Sequence, residues 1–281
     1  MISTRFTFIK RNFVYICLIV LTIASLFPFF ILLVNSTRNH AQIQRGFSAF
    51  FGVSFFENLK KLVTDPNMPV LRALFNSVFV SFMAALFTTY FSAMTAYGIY
   101  MYRFRGREVS FKLILAIMMI PTQVSSLGFI QLLIKIKLID TLAALYIPAI
   151  ASPVVFFYMY QAMTASLPYS IVEAARIDGC PEFKTFNKIV IPLMKPAIAV
   201  QAIFAFVSSW NNYFIPALVI NNKFKKTIPI LIAQLRSADY QKFDMGQVYM
   251  IICLAIIPLV IVYLFLSRNI ISGVSVGAVK E

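Results

Sequence analysis

Six uncharged apolar runs, each long enough to cross a bilayer, constrain this 281-residue chain more than any motif does. They fall at about 13–35, 74–99, 113–134, 142–163, 197–220 and 246–267. A helix rising ~1.5 Å per residue needs about 20 apolar residues to span a hydrocarbon core. Backbone amides in lipid find no water, so such a segment must satisfy its hydrogen bonds internally, and a helix does this within one run. The expected fold is an all-α membrane protein of six transmembrane helices, with residues 1–281 forming a single transmembrane domain. Composition agrees, at 60% hydrophobic and 12% charged residues with a mean hydropathy of +0.83, far from an average soluble domain.

The first run follows a basic start (Arg5, Lys10, Arg11), which is also how a secretory signal begins. Phe13 to Val34 is too long for a signal's apolar core, and Asn35-Ser36-Thr37-Arg38 lacks a small-x-small cleavage pattern. The segment is expected to stay as the first membrane helix. A net charge of +15 would suggest nucleic acid in a soluble chain. Here the cations flank apolar runs, where they anchor helix ends at lipid headgroups, so membrane lipid is the expected partner and nucleic acid is not. Cys17, Cys180 and Cys253 show no disulfide or metal-ligand spacing, and His40 reads as a solvated loop residue, so no metal site is expected.

None of the six runs contains Asp, Glu, Lys, Arg or His by these boundaries. Ion-coupled carriers commonly place such groups at depth to bind the coupling ion. No G-x-x-x-x-G-K-[ST] loop is present either, so ATP binding by that route is not expected of this chain. If it drives uphill transport, a partner must supply the work.

The segment that a partner would grip is the charged loop at 164–196, between the fourth and fifth runs. Its first half can form a short helix, with Ser166 or Ser170 near the start, a Ser170-x-x-Glu173 capping-box pattern and Pro168 in the first turn. Ala174 and Ala175 leave little side-chain bulk, so another surface can approach closely, and Gly179 permits the positive-φ turn that ends a helix. Pro181 can open a second helix, where Phe183, Phe186, Ile189 and Val190 share one face and Lys184, Asn187 and Lys188 fall mostly on the other. From periodicity alone, a hairpin resting on the membrane surface without a partner fits equally well.

Glu173-Ala174-Ala175, then Gly179, then Ile189-Val190-Ile191-Pro192-Leu193 closely resembles the EAA loop of inner-membrane permease subunits in ABC-type importers. The resemblance covers nearly the whole chain. It is similar to the carbohydrate branch of the family and within it to MalG-like subunits, through Met119-Ile120-Pro121-Thr122-Gln123, Leu138-Ile139-Asp140-Thr141, Ser209-Trp210-Asn211-Asn212-Tyr213-Phe214 and Val276-Gly277-Ala278-Val279-Lys280. Weaker similarity lies at Glu57-Asn58-Leu59 and Asn76-Ser77, and one departure is Asn212, where the family often has Asp. The resemblance implies a type I ABC importer permease fold, with a cytoplasmic coupling helix between helices four and five. It implies ATPase coupling through Glu173, Ala174, Ala175, Arg176, Asp178, Gly179 and Phe183. The implied partners are a second, MalF-like permease subunit, two ATPase subunits and an extracytoplasmic solute-binding protein. ATP and Mg would be bound by the ATPase subunits, with no cofactor in this chain and no enzymatic activity of its own.

Trp210, Asn211, Asn212 and Tyr213 concentrate polar and aromatic groups within about one turn of an otherwise apolar run. Such groups are costly against lipid and should face protein or a water-filled path. They are candidates for lining a sugar's route, or equally for bonding neighbouring helices. Prolines 121, 148, 153, 216 and 258 should bend or open their helices. The first outer loop, about 36–73, mixes Phe47, Phe50, Phe51, Phe55 and Phe56 with Lys60 and Lys61, as a membrane-surface element would. The loop at about 221–245 carries Lys223, Lys225, Lys226, Arg236 and Lys242 with Asp239 and Asp244, and is the expected docking face for the binding protein.

Cations are shared almost evenly between the two sides, but Arg103, Arg105, Arg107 and Lys112 crowd into ten residues. That density places their loop, and with it both termini, in the cytoplasm, and the resemblance implies a multi-pass protein of the cytoplasmic (inner) membrane of a bacterial or archaeal cell. The expected function is a permease subunit for a sugar or oligosaccharide. Three alternatives stay open: an ABC permease for a non-sugar solute, an ion-coupled secondary transporter and a non-transporting membrane scaffold.

Overall fold

The computed structural model describes residues 2–237 and 243–278, and all regular secondary structure among them is helical. In chain order these helices are α1 (Ile2–Ser36), α2 (His40–Gln44), α3 (Phe55–Thr64), α4 (Val70–Met101), α5 (Arg107–Ile117), α6 (Thr122–Lys135), α7 (Ala143–Tyr146) and α8 (Pro153–Ser166). There follow α9 (Tyr169–Ile177), α10 (Glu182–Thr185), α11 (Ile191–Leu193), α12 (Lys195–Trp210), α13 (Phe214–Val219), α14 (Ile228–Arg236) and α15 (Met245–Ala278). A 3-10 turn at Ile147–Ile150 links α7 towards α8, and a π-helical turn at Phe186–Val190 joins α10 to α11. Asp239, Lys242, Val279 and Lys280 lie outside the described residues.

Four segments are long and apolar enough to cross a membrane: Arg11–Ser36, Val70–Met101, Ala143–Ser166 and Met245–Phe265. Two more candidates are bent pairs, α5 with α6 at 102° and Glu182–Leu193 with α12 at 82°. The helix is interrupted within both 113–134 and 197–220, near the prolines at 121 and 216 that were expected to bend it. At the first break Pro121 is extended, with φ −62° and ψ 131°, and α6 starts behind it. At the second, α12 ends at Trp210, and Pro216 in α13 has no amide to donate to the Asn212 carbonyl one turn back. Pro28 and Pro258, by contrast, stay inside α1 and α15.

The chain divides into two compact units, 1–68 with 232–256 and 69–231 with 257–281. In the first, the end of α1 is closed by side chains. Asn58, almost wholly buried, donates through Nδ2 to the carbonyls of Ser36 (3.0 Å) and Arg38 (2.9 Å), which have no helical partner. Gly246 fits against the same amide, since a Cβ there would stand 2.7 Å from Asn58 Oδ1. His40 is not the solvated loop residue expected: its Nδ1 accepts from the Met245 amide at 3.1 Å, and its ring meets Phe243 edge-on at 5.9 Å.

The second unit is organised by α4. Its buried face is built from small and hydroxylated residues, among them Ala73, Ser77, Ser81, Ala84, Ala85, Thr88, Thr89, Ser92, Ala93 and Ala96. Small side chains let helices approach closely where lipid gives no hydrophobic drive, and α12 and α8 pack along α4. Thr88 donates to the Ala149 carbonyl at 3.0 Å, which ties α4 to the 3-10 turn. At the other end of α4, Asn76 Nδ2 donates to the carbonyls of Phe224 and Lys226, and Ser77 Oγ accepts from the Ile228 amide. Asp140, at φ +56°, accepts from the amides of Asn221 and Asn222 at 2.9 Å and pairs with Lys225 at 3.5 Å. Asn58→Ala should lower the stability of the full chain by about 1–3 kcal/mol, because it strips two buried carbonyls of their donors. Thermal unfolding in detergent reads this as a fall in midpoint, and an unchanged midpoint refutes the capping role.

Candidate functional site

Helix α9 starts behind extended Pro168, and no side chain caps it. The expected capping box does not form: Ser170 already lies inside the helix, and Ser166 Oγ donates back to the Ala162 carbonyl at 2.7 Å. The other end follows the sequence closely. Gly179 takes φ +74°, its amide donates to the Arg176 carbonyl at 3.0 Å, and the Cys180 amide donates to the Ala175 carbonyl at 2.9 Å. This is a Schellman closure, which needs the left-handed residue that glycine supplies without strain. Pro181 then precedes α10, turning the chain back as a hairpin.

One face of the hairpin is anchored. Val172 and Ala175 are buried, and Val172 joins a cluster with Tyr97 and Tyr100 of α4, Met159 and Met163 of α8, Leu167, and Phe186 and Val190 of the returning strand of the hairpin. The Tyr169 hydroxyl donates to the Tyr100 carbonyl and the Tyr100 hydroxyl to the Leu167 carbonyl, both at 3.0 Å. The other face is open: Glu173, Ala174, Asp178 and Gly179 are exposed, as are Ile177 (87%) and Phe183 (69%). Phe183 thus departs from the apolar face expected for it. Phe186 and Val190, at the two ends of the π-helical turn, face inward with Thr185, while Phe183, one turn ahead of it, faces out.

A polar clamp holds the two arms together. Arg176 Nε donates to Glu182 Oε1 at 2.6 Å across the Gly179 turn, and the Tyr97 hydroxyl donates to Glu182 Oε2 at 2.8 Å. The Arg176 guanidinium also lies 5.1 Å from the centroid of the Tyr102 ring. Burial pushes the Glu182 carboxyl up, but donors from Tyr102, Arg176 and Tyr97 outweigh it and hold the group below its ordinary value. The bond to Glu182 raises Arg176, and burial followed by the same carboxylate raises Tyr102. Glu182, Tyr97 and Tyr102 were not picked out from the sequence. The one available signal was a carboxylate three residues beyond Gly179, facing a cation three residues before it.

The Trp210 to Tyr213 group is separated rather than gathered. Trp210 is 3% exposed and stacks on Phe206, with centroids 5.9 Å apart and planes at 15°. Asn211 caps α12, Asn212 Oδ1 accepts from the Ile215 amide at 3.4 Å, and all three residues 211–213 are exposed. Asn212 also borders a small recess shared with Ser77, Ser81, Ser209 and Thr227. Two hydroxyls on that recess, Ser81 Oγ and Thr227 Oγ1, are buried without a hydrogen-bond partner among the described residues.

The lowered Glu182 carboxyl fixes the sign of a pH effect. Its contribution is fully present above the ordinary value of 4.5 and is lost as pH falls through the lower folded value. Because both partners are more than a third exposed, screening keeps the ion pair to ~0.2–1 kcal/mol. Amide exchange across 169–193 should quicken in the parent chain as pH falls below 4.5, after correction for intrinsic rates. Glu182→Gln should exchange faster at neutral pH and show no such acid step. An identical acid step in both chains refutes the assignment.

Residues 88–276 match the sequence profile of the family described as "Binding-protein-dependent transport system inner membrane component". The chain is 36% identical over 266 residues to the arabinooligosaccharides transport system permease protein AraQ of Bacillus subtilis, covering 92% of each chain. It is 30% identical over 256 residues to the lactose transport system permease protein LacG of Rhizobium radiobacter, covering 91% of each. Its fold matches a chain of a crystal structure of a bacterial ABC transporter involved in import of the acidic polysaccharide alginate. That match has a TM-score of 0.79 at 21% identity and covers 92% of this chain and 96% of that one. The match to the family profile spans well over half the chain, and the chain belongs to the inner-membrane components of binding-protein-dependent transport systems.

Proposed function

We propose that this chain is one permease half of an ATP-driven importer that carries a sugar or oligosaccharide across the cytoplasmic membrane. The observation that carries the reading is the hairpin at 169–193: one face is fixed to α4 and α8, while Ile177 and Phe183 stand open beside Glu173 and Ala174. Large apolar side chains rimmed by charge on a well-anchored element suit a protein interface. An ATPase subunit is the occupant assigned to it, gripping Glu173, Ala174, Ala175, Arg176, Asp178, Gly179 and Phe183. Ala175 and Arg176 would act from within, as the packing and the clamp that hold the exposed residues in place.

On this reading α5 with α6 forms one span and α12 with α13 another, giving six, while the hairpin at 169–193 and both termini lie in the cytoplasm. A second permease subunit completes the pathway, an extracytoplasmic binding protein delivers the solute, and ATP with Mg is bound by two ATPase subunits. Sugar as the solute is supported by the names of the relatives, which concern arabinooligosaccharides and lactose. Asn211, Asn212 and Tyr213, exposed where α12 breaks, are assigned to the solute route, with Trp210 supporting that break from the core.

Cys180, next to the open face, reports on the docking. A short bifunctional crosslinker at this thiol should capture an ATPase subunit in the assembled importer. Phe183→Ala should reduce ATP-dependent uptake by about tenfold or more, the scale of losing an aromatic anchor at an interface. Uptake that persists without nucleotide, or an active complex that gives no crosslink, overturns the proposal. Asn211→Ala tests the route separately, and unchanged uptake at normal complex levels removes that residue from it.

A further inference from the structure

We propose that the loop after α1 forms a binding site for the phosphate headgroup of an anionic phospholipid, built from Arg38 and Arg45 and seated beside the lipid-exposed side of α1. Arg38 is the anomaly that points there. It is 7% exposed, yet among the described residues no carboxylate pairs with it. Its guanidinium donates only to neutral oxygens: Asn35 Oδ1 at 3.0 Å, the Gly46 carbonyl at 3.1 Å and the Gln42 carbonyl. These bonds orient the fork but leave its charge uncompensated, which is expensive for a buried cation.

The loop is shaped to keep that charge in place. Gly52 crosses so close that a Cβ would meet the Thr37 carbonyl oxygen at 2.4 Å and Arg38 Cγ at 3.0 Å. Its amide donates to Thr37 Oγ1 at 2.7 Å, and the Ser54 amide to the Thr37 carbonyl at 2.8 Å. Arg38, exposed Arg45 and Ser48 thereby line one open recess together with Gly52. Arg45, a second cation on this recess with no carboxylate partner among the described residues, makes it an anion site, because a guanidinium fork matches phosphate oxygens.

The apolar surroundings select a lipid rather than a free anion. Phe47 packs on Phe27 with centroids 6.0 Å apart, and Phe51 on Phe30 at 6.4 Å. Phe27 and Phe30 end the stretch 11–30 of α1, which is exposed throughout and apolar after Arg11 and Asn12. Phe27 lies nine residues before Ser36, so the loop rings reach roughly 13 Å below the helix end at ~1.5 Å per residue. Phe50 (83% exposed) and Val53 (93%) extend the apolar rim beside the cations. Aromatic rings at acyl depth beneath arginines at phosphate depth are the arrangement of a headgroup site.

The test uses the full chain carrying Phe50→Trp, reconstituted in phosphatidylcholine vesicles with a small fraction of brominated phosphatidylglycerol or brominated phosphatidylcholine. The quenching added over the parent chain, whose sole tryptophan is Trp210, reports the lipid at the recess. Brominated phosphatidylglycerol should be preferred on the order of tenfold, and Arg45→Gln should cut that preference by about fivefold, since each surface cation is worth about that factor. Arg45 is exposed, so its variant is not a folding mutant. Equal quenching by both lipids overturns the headgroup site. A preference abolished by millimolar inorganic phosphate identifies a free-anion site instead. Quenching by acrylamide but by neither lipid assigns the face to solvent or to a protein partner.

Discussion

A single carboxylate makes the loop hairpin a mechanical part of the helix bundle. Glu182 accepts from Arg176 on one arm and from Tyr97 at the end of α4, so hairpin and helix share a hydrogen-bonded group. Without it, α9 would rest on the bundle only through Val172, Ala175 and the tyrosine contacts around Tyr100. Apolar packing resists separation but resists sliding less well, because it has little directional preference. Hydrogen bonds to two oxygens of one carboxylate add direction, and the Schellman turn at Gly179 sets the arms so that a single side chain can reach both.

The rest of the second unit follows from the cost of unsatisfied backbone. Where a helix is interrupted, a side chain or a new helix start takes up the loose polar groups. Asp140 receives the Asn221 and Asn222 amides, Asn76 donates to two carbonyls beyond α13, and Asn212 receives the Ile215 amide. Burial pushes the Asp140 carboxyl up, yet the two amides and Lys225 together hold it below its ordinary value. Residues that carried the family resemblance, Asn58, Asn76, Ser77 and Asp140, thus prove to be closures of helix ends and loops.

The helical class and the family were legible in the sequence because both rest on strong one-dimensional signals: long uncharged runs, and the spacing of Glu173-Ala174-Ala175, Gly179 and Pro192-Leu193. The glycine turn was legible for the same reason. What escaped were effects set by three-dimensional register. A period of 3.6 put Phe183 on the face of Phe186, but the buried face centres on Thr185, Phe186 and Val190 and leaves Phe183 outside it. Met118, Met119 and Ile120 keep the first break apolar and only Asn211 and Asn212 mark the second, so hydropathy over a whole run gave little warning of the breaks. Pro121 and Pro216 did warn of them, through missing amide donors. His40 looked idle because its partner, the Met245 amide, is 205 residues away.

These features divide the second unit into stiff and yielding parts. The cluster of Tyr97, Tyr100, Met159, Met163, Val172, Phe186 and Val190, with the Glu182 clamp, is stiff: it is close-packed and hydrogen-bonded in several directions. The yielding parts are the bends, 82° between the hairpin and α12 and 102° between α5 and α6, where backbone continuity is already lost. A push on the hairpin, as the proposed ATPase contact would deliver, is therefore carried into α4 through the clamp. Residual rotation is taken up at Met194, where α12 starts without a side-chain cap. Reversing that arrangement, with a yielding clamp and a straight joint, would dissipate the push before it reached the break at 211–213, where the solute route is proposed. The break at 211–213 lies one helix length beyond the first joint, on the same α12 that packs along α4. Motion of α4 relative to α12 is thus the shortest physical connection between the hairpin and that break.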